Sequence, residues 1–459
     1  MPTDPVPALL ARATQVLEEQ FRILPAFETE LAGAGDTARM AAVLQQVAER
    51  MGDNYPYFHP LYAGQMLKPP HPVARAAYAL AMTINPNNHA LDGGRASSAM
   101  EMEAVAEIAR MFGWTERYLG HLTSSGTIAN LEALWVAGQI APSKRIVGSE
   151  QAHYTHQRIS SVLRLGYTPI AADRHGKMDL NALESELRNG DVGTVVATLG
   201  TTAIGAVDPL DEILALQSRY YGFRIHVDAA YGGYFKLIES HLDGPARRAF
   251  ESIAQADSIV VDPHKHGLQP YGCGCVLFCD SDVGRLYKHD SPYTYFSSKE
   301  LHLGEISLEC SRAGAAAVAL WATQRMLPLV PEGEFAQGLQ KGRRAALELD
   351  RWLRAHPACV AFASAQPQLD IVVWKMAAKD AASASSVANA IFAESALREV
   401  HLALVQLPHI WFQSNQNAIV ESGATVTCLR SVLMKPEHEE WVGAICAALE
   451  AAIGSAQGR

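Results

Sequence analysis

The chain has 459 residues, of which 49% are hydrophobic and 19% charged, and its formal net charge at pH 7 is -10. This composition is that of a globular protein larger than one ordinary domain, and it excludes an intrinsically disordered chain. The acidic balance and the absence of a Lys/Arg-rich run argue against nucleic acid and anionic membrane as partners. No apolar segment is long enough to span a bilayer and the N-terminus does not read as a signal peptide, so we expect a cytoplasmic location.

The predicted elements begin with two amphipathic helices within residues 1–51, followed by a loop rich in proline and aromatic residues at 54–72. From about residue 141 to 279, short β-branched runs alternate with helical stretches, a pattern typical of a parallel sheet covered by helices. The predicted strands are residues 145–148, 192–199, 223–227, 258–261 and 274–278. Helices are predicted at 131–140, 210–220, 245–256 and 377–391.

Two prolines and a glycine at residues 328–333 interrupt this pattern, and we place a domain boundary there. The predicted organisation is an N-terminal helical segment (1–60), a large domain (61–328) and a small C-terminal domain (329–459). Cys273, Cys275 and Cys279 lie close together but lack the paired spacing of a zinc site, so we expect free thiols and no metal.

Lys265 follows directly on the predicted strand 258–261 and lies between His264 and His266. Desolvation and neighbouring cations lower the pKa of an amine, which is what a lysine that forms a Schiff base requires. By itself, however, this lysine is equally compatible with a solvated surface turn.

Asp228 ends another apolar strand and is followed by a turn. A carboxylate at this position can hold a protonated pyridine nitrogen, and the small Ala230 would leave room for a flat ring. The alternative is an aspartate that caps a helix.

Ser125, Gly126 and Thr127 precede a predicted helix, where free backbone N–H groups and the helix dipole favour a phosphate group. An ordinary N-cap explains the hydroxyl residues equally well. His153 follows the strand at 145–148 and can stack on a pyridine ring, although a lone histidine is more often a turn residue. The set is more specific than its members, because phosphate cradle, histidine, carboxylate and lysine each follow the carboxyl end of a strand.

With these residues in place, the chain resembles the group II pyridoxal 5′-phosphate (PLP)-dependent amino-acid decarboxylases, especially microbial tyrosine decarboxylases and archaeal tyrosine/aspartate decarboxylases. The resemblance extends from about residue 59 to 436. Its most specific segments are residues 85–88, 101–103, 123–130, 197–202, 226–233 and 262–267. It implies the aspartate-aminotransferase-like α/β fold (PLP fold type I), in which a mainly parallel sheet covered by helices forms the large PLP-binding domain and a smaller α/β domain follows.

The resemblance also implies roles for the residues around the ring. Lys265 would carry PLP as a Schiff base, Asp228 would pair with the ring nitrogen, His153 would stack on the ring and Ala230 would pack beneath it. Thr198 lies in the family's active-site strand and would support Asp228 or the ring.

Further positions follow from the same resemblance. Gly126 and Thr127, with Ser125 beside them, would hold the phosphate, and His264 would lie nearby. Arg430 matches the arginine that receives the substrate's α-carboxylate, although without the resemblance it reads as a surface arginine on an edge strand.

The family works as homodimers whose active sites lie at the subunit interface, and a loop tyrosine completes the partner's site. Tyr293 and Tyr295 are the two candidates for that proton donor. For the substrate side chain we expect a pocket that includes Tyr62, Gln65 and Lys68. This composition favours an aromatic, tyrosine-like substrate, whereas Lys68 would suit an acidic one.

The predicted reaction is decarboxylation of an L-amino acid to the amine and CO₂. Three alternatives remain at this point: decarboxylation of an acidic amino acid, an aldehyde lyase or aldehyde-forming oxidative deaminase, and a non-catalytic PLP-binding protein. The turn at residues 311–314 also resembles sphingosine-phosphate lyases.

Overall fold

A computed structural model describes residues 4–25, 35–288, 306–362, 366–412 and 424–457. Its helices are α1 (Val6–Phe21), α2 (Thr37–Met51), α3 (Pro72–Met82), α4 (Arg95–Met111), α5 (Gly126–Ile140), α6 (Thr155–Val162), α7 (Leu180–Leu187), α8 (Leu210–Gln217), α9 (Gly244–Glu251), α10 (Gly314–Met326), α11 (Glu334–Ala355), α12 (Ala381–Ala396) and α13 (His438–Gln457). Its strands are β1 (Leu119–Thr123), β2 (Arg145–Ser149), β3 (Tyr167–Ile170), β4 (Val192–Thr198), β5 (Arg224–Asp228), β6 (Ser258–Val261), β7 (Gly274–Phe278), β8 (Cys359–Ala361), β9 (Ile371–Met376), β10 (Ala403–Pro408) and β11 (Thr425–Val432).

The large sheet has seven strands in the order β1-β7-β6-β5-β4-β2-β3. The run from β6 to β3 is parallel, while β7 pairs antiparallel with both β6 and β1. Because two antiparallel steps restore the direction, β1 points the same way as the parallel strands. The carboxyl ends of β1, β2, β4, β5 and β6 therefore share one edge of the sheet.

The centre of this sheet is buried on both faces. Every residue of β4 is buried, and five of its seven residues are valine or threonine. Continuous β-branched sequence of this kind is typical of a parallel strand between two helical layers. The main hydrophobic core packs these strands against α4, α8 and α9.

The five predicted strands are all present, with ends that differ by at most one residue at either side. Two further strands of the large sheet, β1 and β3, were not predicted from the sequence. β1 contains a glycine and a histidine, and β3 contains Pro169, so neither shows a β-branched run. Pro169 is tolerated because β3 is the edge strand of the sheet.

A second, four-stranded antiparallel sheet lies in the C-terminal region, in the order β10-β11-β9-β8. Its apolar face packs on α11, α12 and α13 around a separate core that includes Trp374, Leu349 and Ile445. The mainly parallel large sheet and this smaller α/β unit confirm the predicted fold class. Residues 61–64 also contact the second sheet, since Ala63 exchanges backbone hydrogen bonds with His401 and Val432. The division into three domains stays a prediction.

The two N-terminal helices are present as predicted, and α1 and α2 contain no buried residue in this single chain. Among the helices that the structure describes, none combines the length and apolar character that crossing a bilayer requires.

Candidate active site

A cavity of about 190 Å³ lies at the carboxyl edge of the large sheet. Nine of the residues predicted to bind the cofactor line it: Ser125, Gly126, Thr127, His153, Thr198, Asp228, Ala230, His264 and Lys265. The other lining residues are Asn130, Thr155, Gly200, Thr202, Tyr231 and Asp262. Residues from five parts of the sequence thus converge because the strands that precede them end at the same edge.

Lys265 reaches this cavity from the turn after β6. Its side chain is 22% exposed, and its Nζ lies 3.0 Å from Oδ2 of the buried Asp262. The other oxygen of Asp262, Oδ1, is buried and has no hydrogen-bond partner among the described residues. A surface-turn lysine would be solvated and unpaired, so the structure disagrees with that alternative.

Asp228 lies opposite, at the end of β5, and is buried. Its Oδ2 accepts a hydrogen bond of 2.8 Å from Nε2 of His156 and a long one of 3.5 Å from the Asn130 amide, and its Oδ1 accepts one of 3.1 Å from the Ala230 N–H. Burial alone would raise the pKa of Asp228, but the hydrogen bond and charge of His156, with the nearby Lys265, lower that pKa below its usual range. Asp228 is therefore held as a carboxylate.

A second set of hydrogen bonds, made by His226, orients the Asn130 side chain next to Asp228. Nε2 of His226 lies 2.8 Å from Oδ1 of Asn130, and its Nδ1 lies 2.9 Å from Oγ of Ser258. Burial lowers the pKa of His226 to about 3, so the ring is neutral. Since the Asn130 amide nitrogen faces Asp228, its oxygen accepts from His226, which requires the proton on Nε2.

The N-terminus of α5 opens on the same cavity. Ser125 caps it, because its hydroxyl accepts from the Ile128 N–H at 3.3 Å. The helix starts at Gly126, five residues earlier than predicted, so Thr127 lies in its first turn. A Cβ on Gly126 would meet the Asp262 carboxylate oxygens at 2.5 Å, so only glycine fits there. The backbone N–H groups of this first turn form an anion cradle.

Three more predicted residues complete the walls. His153 donates to or accepts from the Thr155 hydroxyl through Nδ1 at 2.7 Å, and burial lowers its pKa. Thr198 pairs with Asp228 in the β4–β5 register, and its hydroxyl is buried without a partner among the described residues. His264 donates Nδ1–H to the Cys273 carbonyl at 2.7 Å, and burial lowers its pKa as well.

Arg430 is buried on β11, an inner strand of the second sheet, so the reading as a surface residue on an edge strand is wrong. Its guanidinium donates to the carbonyl of Thr202, which lines the cavity, at 2.9 Å and to Oε1 of Gln65 at 2.9 Å. Its Nε is buried with no partner among the described residues. Tyr62 is buried, and its hydroxyl accepts from the Gln65 N–H at 3.2 Å.

Three further residues were given roles at the site from the sequence: Tyr293, Tyr295 and Lys68. Tyr293 and Tyr295 lie outside the described residues. Lys68 does not line the cavity around Lys265; it lines a different cavity, together with His266 and Lys435.

Sequence reasoning missed three residues of the site: His156, Asn130 and Asp262. Asp262 was read only as part of a motif, although it is the ion-pair partner of Lys265. The spacing of His153 and His156 was a usable signal, because residues three apart in a helical turn lie on one side.

This set of groups fits PLP. A lysine amine, an ionised buried carboxylate and a helix N-terminus surround one cavity, and the unpartnered Thr198 hydroxyl and Asp262 oxygen leave polar groups for a ligand to satisfy. Together with the fold, these features define the class: a PLP-dependent enzyme of fold type I.

The chain belongs to the pyridoxal-dependent decarboxylase family, whose conserved-domain model matches residues 54–357. This confirms the predicted family and PLP as the cofactor.

Named relatives agree with the family. An L-tyrosine decarboxylase of Enterococcus faecium is 29% identical over 63% of this chain and 64% of its own length. An L-2,4-diaminobutyrate decarboxylase of Rhizobium meliloti is 35% identical over 46% of this chain and 44% of its own. The chain thus spans less than two thirds of the length of these relatives. A crystal structure of Oryza sativa TDC with PLP and tryptamine covers 99% of both chains with a TM-score of 0.78 and 16% identity, which shows the shared fold.

Proposed function

We propose that this protein decarboxylates an L-amino acid with an aromatic, tyrosine-like side chain, using PLP bound to Lys265. The observation that carries the proposal is the pairing of Asp228 with His156 across the cavity from Lys265. It keeps an ionised carboxylate where a pyridine nitrogen needs one. Bound PLP supplies an electron sink for the pair of electrons left at Cα when CO₂ departs.

The chain's own residues hold and orient the reactants. The N–H groups of Gly126 and Thr127 would hold the phosphate of PLP, and His153 and Ala230, which line the same cavity, would contact its ring. The amine of Lys265 would hold the aldehyde group of PLP as an imine. Asp262, whose Oδ2 lies 3.0 Å from Nζ, would hold this amine in an ion pair when the amine is free and protonated.

Arg430 selects the bond that breaks. Its Nε and guanidinium edge are buried beside Thr202, and a substrate α-carboxylate would satisfy the unpaired N–H. Fixing that carboxylate would orient the substrate's Cα–carboxylate bond for cleavage. Tyr293 or Tyr295, from the partner subunit of a homodimer, then protonates Cα.

The aromatic preference has two supports. The relatives include three bacterial tyrosine decarboxylases at 26–29% identity. In addition, Lys68, the residue that would have favoured an acidic side chain, lines a different cavity. The 35% identity to a diaminobutyrate decarboxylase favours a second candidate, a diamino acid substrate.

The test is a panel of all protein amino acids and L-2,4-diaminobutyrate, with added PLP, scored for amine, CO₂ and aldehyde. Tyrosine or a related aromatic acid should give amine and CO₂ in equal amounts. Aldehyde in place of amine would point to an aldehyde lyase or oxidative deaminase, amine from aspartate or glutamate would point to an acidic substrate, and no product from a PLP-loaded protein would point to a binding role.

Substitutions of single residues test the roles proposed for Lys265, Tyr293 and Tyr295. Lys265→Ala should abolish turnover and borohydride-stable attachment of PLP, whereas Lys379→Ala, which changes an exposed lysine, should not. Tyr293→Phe and Tyr295→Phe test the two candidate proton donors, because a Cα that is not protonated would be oxidised by dissolved O₂ and the product would shift from amine towards aldehyde. Unchanged rates and products in both tyrosine variants would overturn that assignment.

A further inference from the structure

A second cavity, of about 400 Å³, lies behind the turn that carries Lys265 and shares no lining residue with the cofactor cavity. Residues 68–72, the first turns of α11 and residues 435–437 form its walls. Three of the wall residues, Pro69, Pro70 and Pro72, restrict the backbone on one side, so this side of the cavity is preformed.

Two lysines form the inner wall. Lys435 is only 1% exposed; its Nζ donates to the Tyr62 carbonyl at 2.7 Å and lies 5.2 Å from the Tyr62 ring centre. Lys68 donates from Nζ to the Met434 carbonyl at 3.3 Å. In the part of the chain that the structure describes, no carboxylate oxygen lies within the 4.0 Å ion-pair distance of either amine. The two amines thus donate hydrogen bonds to backbone carbonyls, while the carboxylates of Asp370 and Glu437 act on Lys68 from beyond ion-pair distance, and that of Glu437 also acts on Lys435.

His266 provides a second, independent feature. It lines the cavity at 1% exposure, and neither of its ring nitrogens has a hydrogen-bond partner among the described residues. Oδ2 of Asp370 lies 3.3 Å from Nε2, but not in hydrogen-bonding alignment, and Oδ1 of Asp370 is taken by the Tyr231 hydroxyl at 2.5 Å. A buried imidazole without a partner is a costly arrangement that a ligand would relieve.

The charges around the cavity differ between its inner wall and its rim. Burial lowers the pKa of Lys68 to about 8 and that of Lys435 to about 7, and burial raises the pKa of Asp370 to about 6. The rim carries the exposed residues Glu334, Lys341 and Glu437, together with the half-buried His71. On the rim Glu334 and Glu437 outnumber Lys341, so the rim is slightly acidic, whereas the two buried amines lie inside it.

We propose that this cavity binds a small oxyanion, a carboxylate or a phosphate, between the amines of Lys68 and Lys435. The anion would accept hydrogen bonds from these amines and would favour their protonated forms. Nε2 or Nδ1 of His266 completes the site. Because His266 directly follows Lys265, the site adjoins the cofactor turn, but the inference does not depend on the reaction proposed above.

The test uses the PLP-saturated holoenzyme, in which the phosphate cradle of α5 is filled. Inorganic phosphate and succinate are titrated separately by calorimetry into the wild type and into Lys68→Met, Lys435→Met and Lys379→Met. The wild type should show one saturable site for at least one of the two anions. Each inner-wall variant should weaken binding by about tenfold or more, since a charge-assisted hydrogen bond is lost, and Lys379→Met should match the wild type.

The two titrants separate the two sources of the oxyanion chemistry, and binding of either one supports the site. Absence of saturable binding of both would overturn the proposal, as would wild-type affinity in both inner-wall variants. If Lys435→Met does not fold, the result for Lys68→Met decides, together with the anion-dependent rise in melting temperature, which should be smaller in that variant than in the wild type.

Discussion

The contact between His156 and Asp228 is the one on which the proposed chemistry depends most, and removing it should destabilise the protein. Nε2 of His156 donates to Oδ2 of Asp228 at 2.8 Å, and both side chains are buried. In His156→Leu the carboxylate keeps one good donor, the Ala230 N–H at 3.1 Å, and the distant Asn130 amide at 3.5 Å.

The expected magnitude follows from these contacts. A hydrogen bond to a buried charge contributes about 1.5–3 kcal/mol, and breaking a buried ion pair costs about 3–5 kcal/mol. We expect His156→Leu to lower the free energy of unfolding of the apoprotein by about 3 kcal/mol, a factor of about a hundred in the equilibrium constant. His156→Gln, which restores a neutral donor, should lose about 1 kcal/mol.

The pH dependence has a defined sign. Because the folded-state pKa of Asp228 is lowered, its stabilising contribution is complete above the unfolded value near 3.8 and is lost as the pH falls through the folded value. In His156→Leu, burial without this partner raises the pKa of Asp228, so protonation relieves the unpaired charge. The stability difference between wild type and variant should therefore shrink from pH 7 towards pH 4.

Urea unfolding of the apoprotein at several pH values measures this difference. The matched control is His241→Leu, which breaks an exposed His–Glu pair with Glu332 that solvent screens. Turnover should fall in His156→Leu as well, because a protonated Asp228 no longer holds a proton on the ring nitrogen. If His156→Leu were as stable as His241→Leu at pH 7, the role given to this contact would be wrong.

Three further predictions concern other parts of the site. Arg430→Met should lower kcat/KM by about a hundredfold in steady-state assays, because about 3 kcal/mol of charge-assisted binding is lost; an unchanged kcat/KM would remove the arginine from the carboxylate site. Gly126→Ala should weaken PLP binding by about tenfold or more in absorbance titrations, since the new Cβ meets the Asp262 oxygens at 2.5 Å; wild-type affinity would show that the cradle can shift. The pKa of His226 is about 3 when folded against 6.5 as its ordinary value, so only the unfolded chain takes up this proton as the pH falls below 6.5 and stability drops by about 1.4 kcal/mol per pH unit. His226→Gln should show a shallower decline between pH 6.5 and 4 in urea unfolding, and equal slopes would contradict the assignment.

The local sequence was sufficient for the arrangement of the cofactor site. His153, Asp228 and Lys265 lie at the ends of predicted strands, and parallel strands end at a common edge, so their meeting in space follows from chain order. Gly126 follows β1, which was not predicted. The five predicted strands all belong to the large sheet. The two strands of that sheet that were missed, β1 and β3, owe their extended structure to partners elsewhere in the sheet, which no short window of sequence reveals. In the second sheet β8, β9 and β10 were not predicted, although β9 has a β-branched run.

Only the tertiary structure decided the partners of the charged groups. The hydrogen bond from His156 to Asp228 joins residues 72 positions apart, and the contact of Lys68 with Met434 joins residues 366 apart. Composition and periodicity carry no information on such pairings, because these pairings depend on where two distant elements pack. For the same reason the sequence suggested Lys68 as a substrate residue, whereas it lines a separate cavity in the fold. Without the family resemblance the sequence would also have suggested that Arg430 is exposed on an edge strand, whereas it is buried on an inner strand. Chain order thus determined which functional groups lie at the carboxyl edge of the sheet, and packing determined which charged partner each group has there.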